Sequence, residues 1–308
     1  MSSGSIDLSV TLGKMRLKNP VMPSAGTFGY GKEFADLLDL SGLGAIIVKC
    51  TSLNPMLGNY EDRSIEIGGS CFLTSVGRQN VGVDRFVRDK LPFLRQFPTP
   101  VIVNVAGTTI EEYVRVIEIL NEADGVSGVE LSMRCPNLKH GMADFTDPDT
   151  AFKLVKAVRE STQLTVIPKL NATLADIVPL AKACEEGGAD AVCPRFDMVG
   201  MAIDISTRRS RLGKNLFGAL GGPMAKPTAV RLVWQVAQEL SIPVIGCGGI
   251  TGPEDAVEFF IAGATAVEVG SFNLIDPAVM PRTIEGIRHY LAENGASTIE
   301  DIKGSFLM

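Results

Sequence analysis

The chain has 308 residues, of which 45% are hydrophobic, and a formal net charge of −6 at neutral pH. This length suits one barrel of alternating strands and helices, and no apolar run approaches the roughly 20 residues needed to span a bilayer. The lysines and arginines are scattered, which excludes the basic patch of a nucleic-acid-binding surface. We expect a single domain over residues 1–308, a small-molecule substrate, and neither a nucleic-acid nor a membrane partner.

The reactive side chains narrow the chemistry. Six cysteines show neither CxxC spacing nor the density of a disulfide scaffold, so we expect reduced thiols. The two histidines, His140 and His289, are far apart in the sequence. This spacing argues against a histidine-based metal site, and two histidines give little support to a Ser-His-Asp triad. The segment Met1–Asp7 lacks the features of a secretory signal. These patterns predict a cytoplasmic protein with no metal site whose chemistry uses an organic cofactor.

The first predicted element is a β-hairpin, in which Ile6–Val10 and Lys14–Leu17 flank Leu12-Gly13 and cover the amino end of the fold. Beyond it, short apolar runs alternate with segments of helical periodicity. The candidate strands are Pro20–Pro23, Ala45–Lys49, Val101–Val105, Gly128–Ser132, Thr165–Lys169, Ala189–Pro194, Pro243–Cys247 and Ala266–Val269. The candidate helices are Glu33–Leu40, Gly82–Phe93, Thr109–Glu122, Asp149–Glu160, Leu174–Glu186, Thr228–Glu239, Pro253–Ala262 and Ala278–Leu291. Eight strands with eight helices predict an α/β fold, a closed (β/α)₈ TIM barrel.

Two connections are too long for plain strand-to-helix loops. They cover Thr51–Asn80 and Phe196–Lys226. Long ordered loops in a compact domain usually form a lid or a binding wall. We therefore expect both on the top face of the barrel, at the carboxyl ends of the strands.

Two glycine turns follow the last two predicted strands. Gly248-Gly249 comes after Pro243–Cys247, and Gly270-Ser271 comes after Ala266–Val269. In a barrel these turns lie on adjacent top-face loops, where backbone N–H groups bind a phosphate. The alternative is that the glycines only permit tight turns. The occurrence of both pairs at corresponding positions favours a phosphate site.

Three polar side chains at the predicted rim indicate which phosphate compound binds. Lys49 and Lys169 each end a strand, and Asn104 lies near the end of another. A flavin accounts for all three, because a lysine stabilises the anion of the reduced ring and an asparagine amide can bond its pyrimidine edge. Lysines that extend past the rim into water are the alternative. The combination predicts FMN.

These segments resemble the class 1 dihydroorotate dehydrogenases, most closely the 1B branch, over nearly the whole chain. The resemblance is carried by Leu17–Gly26, Phe28–Glu33, Ile47–Lys49, Asn104–Gly107, Cys135–Asn137, Gly246–Ile250 and Val269–Ser271. It implies an FMN-dependent oxidoreductase of pyrimidine biosynthesis that acts on a CH–CH group. It also implies a homodimer and an electron-transfer subunit carrying an iron–sulfur centre and FAD. The implied flavin contacts are Ala25, Gly26, Lys49, Asn104, Lys169, Gly222, Gly248, Gly249, Gly270 and Ser271.

Dehydrogenation next to a carbonyl needs a base on the face of the substrate opposite the flavin. The resemblance assigns this role to Cys135, in the loop after the fourth strand, with Lys49 as the second catalytic residue. The neighbouring Arg134 would favour the thiolate form of Cys135. An ordinary buried thiol is the alternative. We interpret the other five cysteines as packing residues.

The implied substrate pocket departs from the family pattern. The contact loop Asn-x-x-Gly-Leu-x-Asn reads Thr74-Ser-Val-Gly-Arg-Gln-Asn80, so that Thr74 and Arg78 replace an asparagine and a leucine. Ser132 and Phe196 stand at the positions of two more asparagines. Each lost amide would cost about 1–3 kcal/mol if polar groups of orotate stayed buried without a partner. The implied pocket consists of Thr74, Val76, Gly77, Arg78, Ser132, Asn137, Phe196 and Asp197.

Four functional hypotheses follow. The first is an FMN-dependent dihydroorotate dehydrogenase that passes a hydride to FMN N5 and a proton to Cys135. The second is an FMN ene-reductase or dehydrogenase of the same family that acts on another unsaturated acid or cyclic amide. The third is a flavin-free barrel lyase that uses Lys169 as a Schiff-base amine. The fourth is a subunit that depends on an iron–sulfur flavoprotein, because the chain lacks the cysteine clusters that hold such a centre.

Overall fold

The computed structural model describes residues 6–133, 145–172, 176–196 and 198–307. Within these ranges, eight parallel strands form one sheet, in which the second to the eighth strand pair in chain order and the eighth pairs with the first. Where the first and second strands meet, Gly44 N donates to Val21 O at 3.0 Å. The predicted (β/α)₈ barrel is confirmed. Its strands are β1 (Val21–Pro23), β2 (Ile46–Thr51), β3 (Val101–Val105), β4 (Gly128–Ser132), β5 (Thr165–Ala172), β6 (Cys193–Phe196), β7 (Ile245–Cys247) and β8 (Ala266–Val269).

The barrel strands are apolar on both faces. All five residues of β3 and all four residues of β8 are buried. Parallel strands have this composition because helices cover the outside of the barrel while side chains fill its interior. The few polar residues inside these strands, among them Glu130 and Glu268, are therefore exceptions that need partners.

Helices surround the barrel. Two begin at a proline, Pro148 and Pro253, and two others carry proline at their second residue, Pro179 and Pro227, as helices commonly do in their first turn. The side chain of Asp147 caps one of them by accepting from Thr150 N. None of the helices in the described ranges is long and apolar enough to cross a membrane. The longer helices are Ile110–Asn121, Pro148–Ser161, Val178–Glu186, Lys226–Ala237, Pro253–Ile261 and Val279–Glu293.

Two predicted helices differ from the observed elements. The prediction of a helix over Glu33–Leu40 is wrong, because the segment contains the 3₁₀ turn Lys32–Phe34 and the start of a second turn, Leu40–Gly42. Asp39 is extended and its side chain accepts from Ser41 N, which starts the second turn and prevents a continuous helix. The helix predicted over Gly82–Phe93 is present as Val83–Arg85, a π-helical turn at Phe86–Lys90, and Leu91–Leu94.

The amino-terminal hairpin consists of Val10–Leu12 and Met15–Leu17. Its first strand lies later than predicted, because the turn falls at Gly13-Lys14, where Gly13 has a φ of 56°. Lys14 N and the carbonyl of Leu12 both hydrogen-bond to Thr165 Oγ1, at the start of β5. The hairpin therefore covers the amino end of the barrel, as predicted.

The two long connections meet above the opposite end. Strands Ser64–Gly68 and Cys71–Thr74 come from the first connection, and Val199–Gly200 and Gly218–Gly221 come from the second. They form one antiparallel sheet, which we call the loop sheet. Pairing between Cys71–Thr74 and Gly218–Gly221 joins the two connections. The predicted binding wall is therefore a small sheet that stands beside the mouth of the barrel.

Candidate functional site

A cavity of about 410 Å³ lies between the carboxyl ends of the barrel strands and the loop sheet. Small-molecule sites commonly enclose about 300–1,000 Å³, so this volume suits a ligand. All ten predicted flavin contacts and five of the eight predicted substrate contacts line it. These residues are Ala25, Gly26, Lys49, Thr74, Val76, Gly77, Arg78, Asn104, Ser132, Lys169, Gly222, Gly248, Gly249, Gly270 and Ser271.

Four predicted residues have no described side chain. Cys135, Asn137 and Asp197 lie outside the described residues, and Phe196 is described only as the last backbone position of β6. The assignment of Cys135 as the base, and of the other three as substrate contacts, stays a prediction from the sequence.

The glycine turn after β7 packs closely against the start of the helix Lys226–Ala237. Gly248 and Gly249 have φ values of 129° and 76°, which L-residues rarely adopt. A Cβ on Gly249 would lie 2.5 Å from Lys226 N, so no side chain fits there without movement of the backbone. Across the cavity, a Cβ on Gly221 would lie 3.3 Å from Ser271 Oγ. A cradle made of backbone N–H groups and glycine fits the phosphate of FMN.

The floor of the cavity holds a buried ionic cluster that we call the Lys169 cluster, formed by Lys169, Glu130 and Glu268. Lys169 Nζ lies 3.0 Å from Glu130 Oε1 and 3.1 Å from Ser24 Oγ, and it also pairs with Glu268 Oε2. Burial alone would lower the pKa of Lys169, but the two carboxylates outweigh burial and raise it. Lys169 is therefore a fixed cation at the cavity floor.

This charge state bears on the lyase hypothesis. A Schiff-base lysine must be deprotonated to attack a carbonyl, and its pKa is usually lowered for that purpose. The pKa of Lys169 is raised instead, which keeps the amine protonated and unable to attack a carbonyl. The same ammonium fits the edge of a flavin ring at which negative charge develops on reduction. The geometry favours the flavin role for Lys169 over the lyase role.

Asn104 is held by the same cluster. Its Nδ2 donates to Glu130 Oε2, and the side chain is buried at the end of β3. The two glutamates were not predicted as site residues. The signal was available, because each stands inside an otherwise apolar strand, where an acidic residue is rarely buried without a partner.

Lys49 lies at an irregularity in β2, where the register with β3 shifts between Val48 and Thr51. Its Nζ lies 5.8 Å from the centre of the Tyr30 ring, within the range of a cation–π contact. Burial lowers the pKa of Lys49, and the nearby Glu33 opposes the shift. Lys49 therefore reaches the cavity as a second, less deeply buried amine.

The substrate side of the cavity is cationic. Thr74 Oγ1 donates to Ala219 O at 3.3 Å, so this hydroxyl is engaged within the loop sheet. Arg78, which has a φ of 57°, and Arg195 both line the cavity. Asn171, which was not predicted, also lines the cavity, and its Oδ1 has no hydrogen-bond partner among the described residues. An amide and two guanidinium groups suit an anionic, hydrogen-bonding substrate.

Two cysteines also line the cavity. Cys50 and Cys247, interpreted from the sequence as packing residues, both contribute to its surface. Burial raises the pKa of Cys50 to about 11, which makes it a poor base at neutral pH. The ligand atoms of Cys193, Cys247 and Glu268 all lie within 4.8 Å of one another, and all three residues are buried. Cys247 therefore belongs to the edge of the Lys169 cluster.

Comparison with known proteins identifies the family. The family model "Dihydroorotate dehydrogenase" matches residues 7–291. A protein from Geotalea uraniireducens, named "Dihydroorotate dehydrogenase B (NAD(+)), catalytic subunit", is 48% identical over 305 residues, which covers 99% of each chain. Proteins of the same name from Geotalea daltonii and Bacteroides thetaiotaomicron are 48% and 45% identical over 300 residues, covering 97% of this chain and 98% of theirs.

The matched region contains the whole barrel and both sides of the cavity, and the relatives are of the B type that the sequence motifs resemble. The chain belongs to the dihydroorotate dehydrogenase family of oxidoreductases, which act on a CH–CH bond.

Proposed function

We propose that the chain is an FMN-dependent enzyme that dehydrogenates a substrate CH–CH bond next to a carbonyl, or catalyses the reverse reduction. The observation that carries this proposal is Lys169, a buried ammonium that lines the same cavity as the glycine turn at Gly248-Gly249. FMN, when bound, supplies a hydride acceptor at N5. Family membership supports flavin chemistry in this cavity.

Each end of the cavity has a distinct task in this proposal. Backbone N–H groups of Gly248, Gly249, Gly270 and Ser271 bind the phosphate. Lys169 and Asn104 hold the pyrimidine edge of the ring, while Ala25, Gly26 and Gly222 line its walls. Because Lys169 is buried and held by both carboxyl groups, its ammonium is in position before the ligand arrives.

We propose Cys135 as the base, supported by its position after β4 in the Cys-Pro-Asn motif. Cys135→Ser is expected to keep its flavin and to slow flavin reduction by substrate at least tenfold, because a positioned base typically contributes about 10²–10⁴-fold. Single-turnover absorbance measurements test this. Cys71→Ser, which alters a thiol that does not line the cavity, is the matched control. Unchanged reduction in Cys135→Ser would remove Cys135 from the base role.

Dihydroorotate is the first candidate substrate, since the relatives are named for it. A different unsaturated acid or cyclic amide is the second candidate. Arg78 and Arg195 line the cavity and favour a substrate with more negative charge than orotate. Ser132 offers a hydroxyl where an amide would bind orotate, and the Thr74 hydroxyl already donates to Ala219 O. We further propose a partner subunit, because the relatives are named as catalytic subunits. That this partner is an iron–sulfur/FAD electron-transfer subunit, and that the chain forms a homodimer, is proposed from the sequence resemblance alone.

Flavin absorbance separates the candidates. The purified protein is expected to be yellow, and titration with orotate, dihydroorotate, dihydropyrimidines and related unsaturated acids is expected to change the visible spectrum of the bound flavin for at least one compound. A spectral change at micromolar orotate supports the first substrate. No change at millimolar orotate, with a response to another acid, removes it in favour of the second. A colourless protein that takes up no FMN contradicts both flavin-dependent candidates and favours the lyase hypothesis.

A further inference from the structure

The Lys169 cluster contains one acid more than its cation can neutralise. Glu130 and Glu268 are both fully buried, and Lys169 is 4% exposed. Its ammonium contacts both carboxyl groups, at 3.0 Å for Glu130 and closer for Glu268. The residues come from β4, β5 and β8, so the cluster spans the interior of the barrel. Two ionised carboxylates beside one ammonium would leave a net negative charge in this interior.

In the described part of the chain, the groups that contact or face the Lys169 cluster include an amide, a hydroxyl and two thiols. Asn104, on β3, donates an amide hydrogen bond to Glu130. Ser24, in the loop after β1, hydrogen-bonds to Lys169, and its Oγ lies 3.5 Å from Cys247 Sγ. From β6 and β7, Cys193 and Cys247 face the cluster. The charge of Arg195, on β6, acts on Cys247.

Both carboxyl groups lie against the same ammonium. Since Glu130 Oε1 and Glu268 Oε2 each contact Lys169 Nζ, two ionised carboxylates here would repel each other at short range. Glu268 Oε1 has no hydrogen-bond partner among the described residues. An ionised carboxylate with a bare buried oxygen is unfavourable, and protonation of the pair relieves this. A proton is therefore the smallest change that balances the cluster.

We propose that Glu130 and Glu268 share one proton at neutral pH and, with Lys169, form a proton-holding site at the cavity floor that takes up or releases this proton as the charge in the cavity changes. The part that concerns flavin charge rests on the proposed function. The shared proton itself does not, because it follows from the chain's own residues.

The direction of the titration follows from the surroundings. Burial, followed by the charge of Glu268, raises the pKa of Glu130 to about 8, against the opposing effect of Lys169. Negative charge added in the cavity favours the protonated pair, because like charges repel. At a pH of about 8 and above, where the pair has released its proton, the hydride delivered to the flavin would thus be accompanied by uptake of one proton from solvent by the carboxyl pair. No electron passes through the glutamates in this step.

A metal ion is the competing way to balance the charge. Cys193, Cys247 and Glu268 place two sulfurs and a carboxylate oxygen within 4.8 Å of one another, which suits a soft or borderline cation. The geometry favours the proton, because Lys169 Nζ already bonds to both glutamates and would repel a metal ion at Glu268. Metal content is therefore measured as part of the test.

The first measurement needs no flavin. Infrared spectra of the apoprotein at pH 6 are expected to contain a band of a buried protonated carboxylic acid that titrates away near pH 8 and is absent from Glu130→Gln and Glu268→Gln. Glu239→Gln, a surface carboxylate paired with Lys182, is the matched control and keeps the band. Absence of the band in the unsubstituted protein overturns the proposal whether or not the variants fold. One equivalent of bound zinc in the purified protein also overturns it, in favour of the metal site.

The second measurement tests the coupling to the flavin. For a two-electron couple, each proton taken up on reduction adds about 30 mV per pH unit to the slope of the midpoint potential. The holoprotein is expected to show one such additional step around pH 8, and Glu268→Gln is expected to lose it. Identical slopes in both proteins overturn the coupling. A protein that binds no FMN but keeps the infrared band would contradict the proposed function and leave the shared proton intact.

Discussion

Lys169→Ala is expected to lower the free energy of unfolding by about 3–5 kcal/mol and to yield protein without bound flavin. The substitution leaves Glu130 and Glu268 buried with no cation, and removing one partner of a buried ion pair costs far more than removing a surface pair. It also removes the positive charge assigned to the edge of the flavin ring. Denaturant unfolding and the flavin-to-protein absorbance ratio measure the two effects.

Two further variants separate charge from packing. Lys182→Ala removes a lysine that pairs with Glu239 on the surface and is expected to leave the midpoint of unfolding nearly unchanged. Combining Lys169→Met with Glu130→Gln and Glu268→Gln removes all charge from the cluster, and it is expected to recover most of the lost stability without recovering flavin. If Lys169→Ala unfolds like Lys182→Ala, the cluster is not the buried ion pair described above.

The sequence predicted best the barrel strands that are buried on both faces, because burial makes them continuous apolar runs. The bounds of β3, β4 and β8 agree with the predicted strands, because continuous apolar runs between polar turns have no other placement in a barrel. The helix expected over Glu33–Leu40 failed for a local reason. Asp39 bonds to Ser41 N and starts a separate turn, and such a competing side-chain bond is hard to weigh against helical periodicity.

The parts of the site that directly follow a strand in the sequence could be predicted. The contacts between residues that the barrel brings together from distant strands could not. The glycine turns follow β7 and β8 directly, so the barrel rule brings them together. The partners of Lys169 lie 39 and 99 residues away along the chain. Lys169 was predicted as a rim residue, but its contacts with Glu130 and Glu268 required the relative positions of β4, β5 and β8. Asn171 was missed for a similar reason, since only the register aligns it with Arg195.

Gly249→Ala is expected to weaken FMN binding by about 10–100-fold without unfolding the barrel. Gly249 has a φ of 76°, a conformation that costs an L-residue about 1–2 kcal/mol. The added Cβ would also lie 2.5 Å from the backbone nitrogen of Lys226, so the turn must shift where its N–H groups meet the phosphate. Since about 1.4 kcal/mol corresponds to a tenfold change in affinity, a conformational cost of about 1–2 kcal/mol accounts for roughly 5–30-fold, and the displacement of the N–H groups adds to it. Quenching of FMN fluorescence by the apoprotein measures the Kd.

Gly252→Ala is the matched control, because it changes the same residue type three positions later in the same loop. Gly252 has a φ of −177°, which any residue adopts, and the nearest atom to an added Cβ is the flexible Glu254 Oε2 at 3.5 Å. This variant is expected to bind FMN like the unsubstituted protein. Equal weakening by both substitutions would mean that the loop responds to any added side chain, and equal retention would mean that the phosphate is held elsewhere. Only a loss confined to Gly249→Ala supports a phosphate cradle built on the backbone after β7.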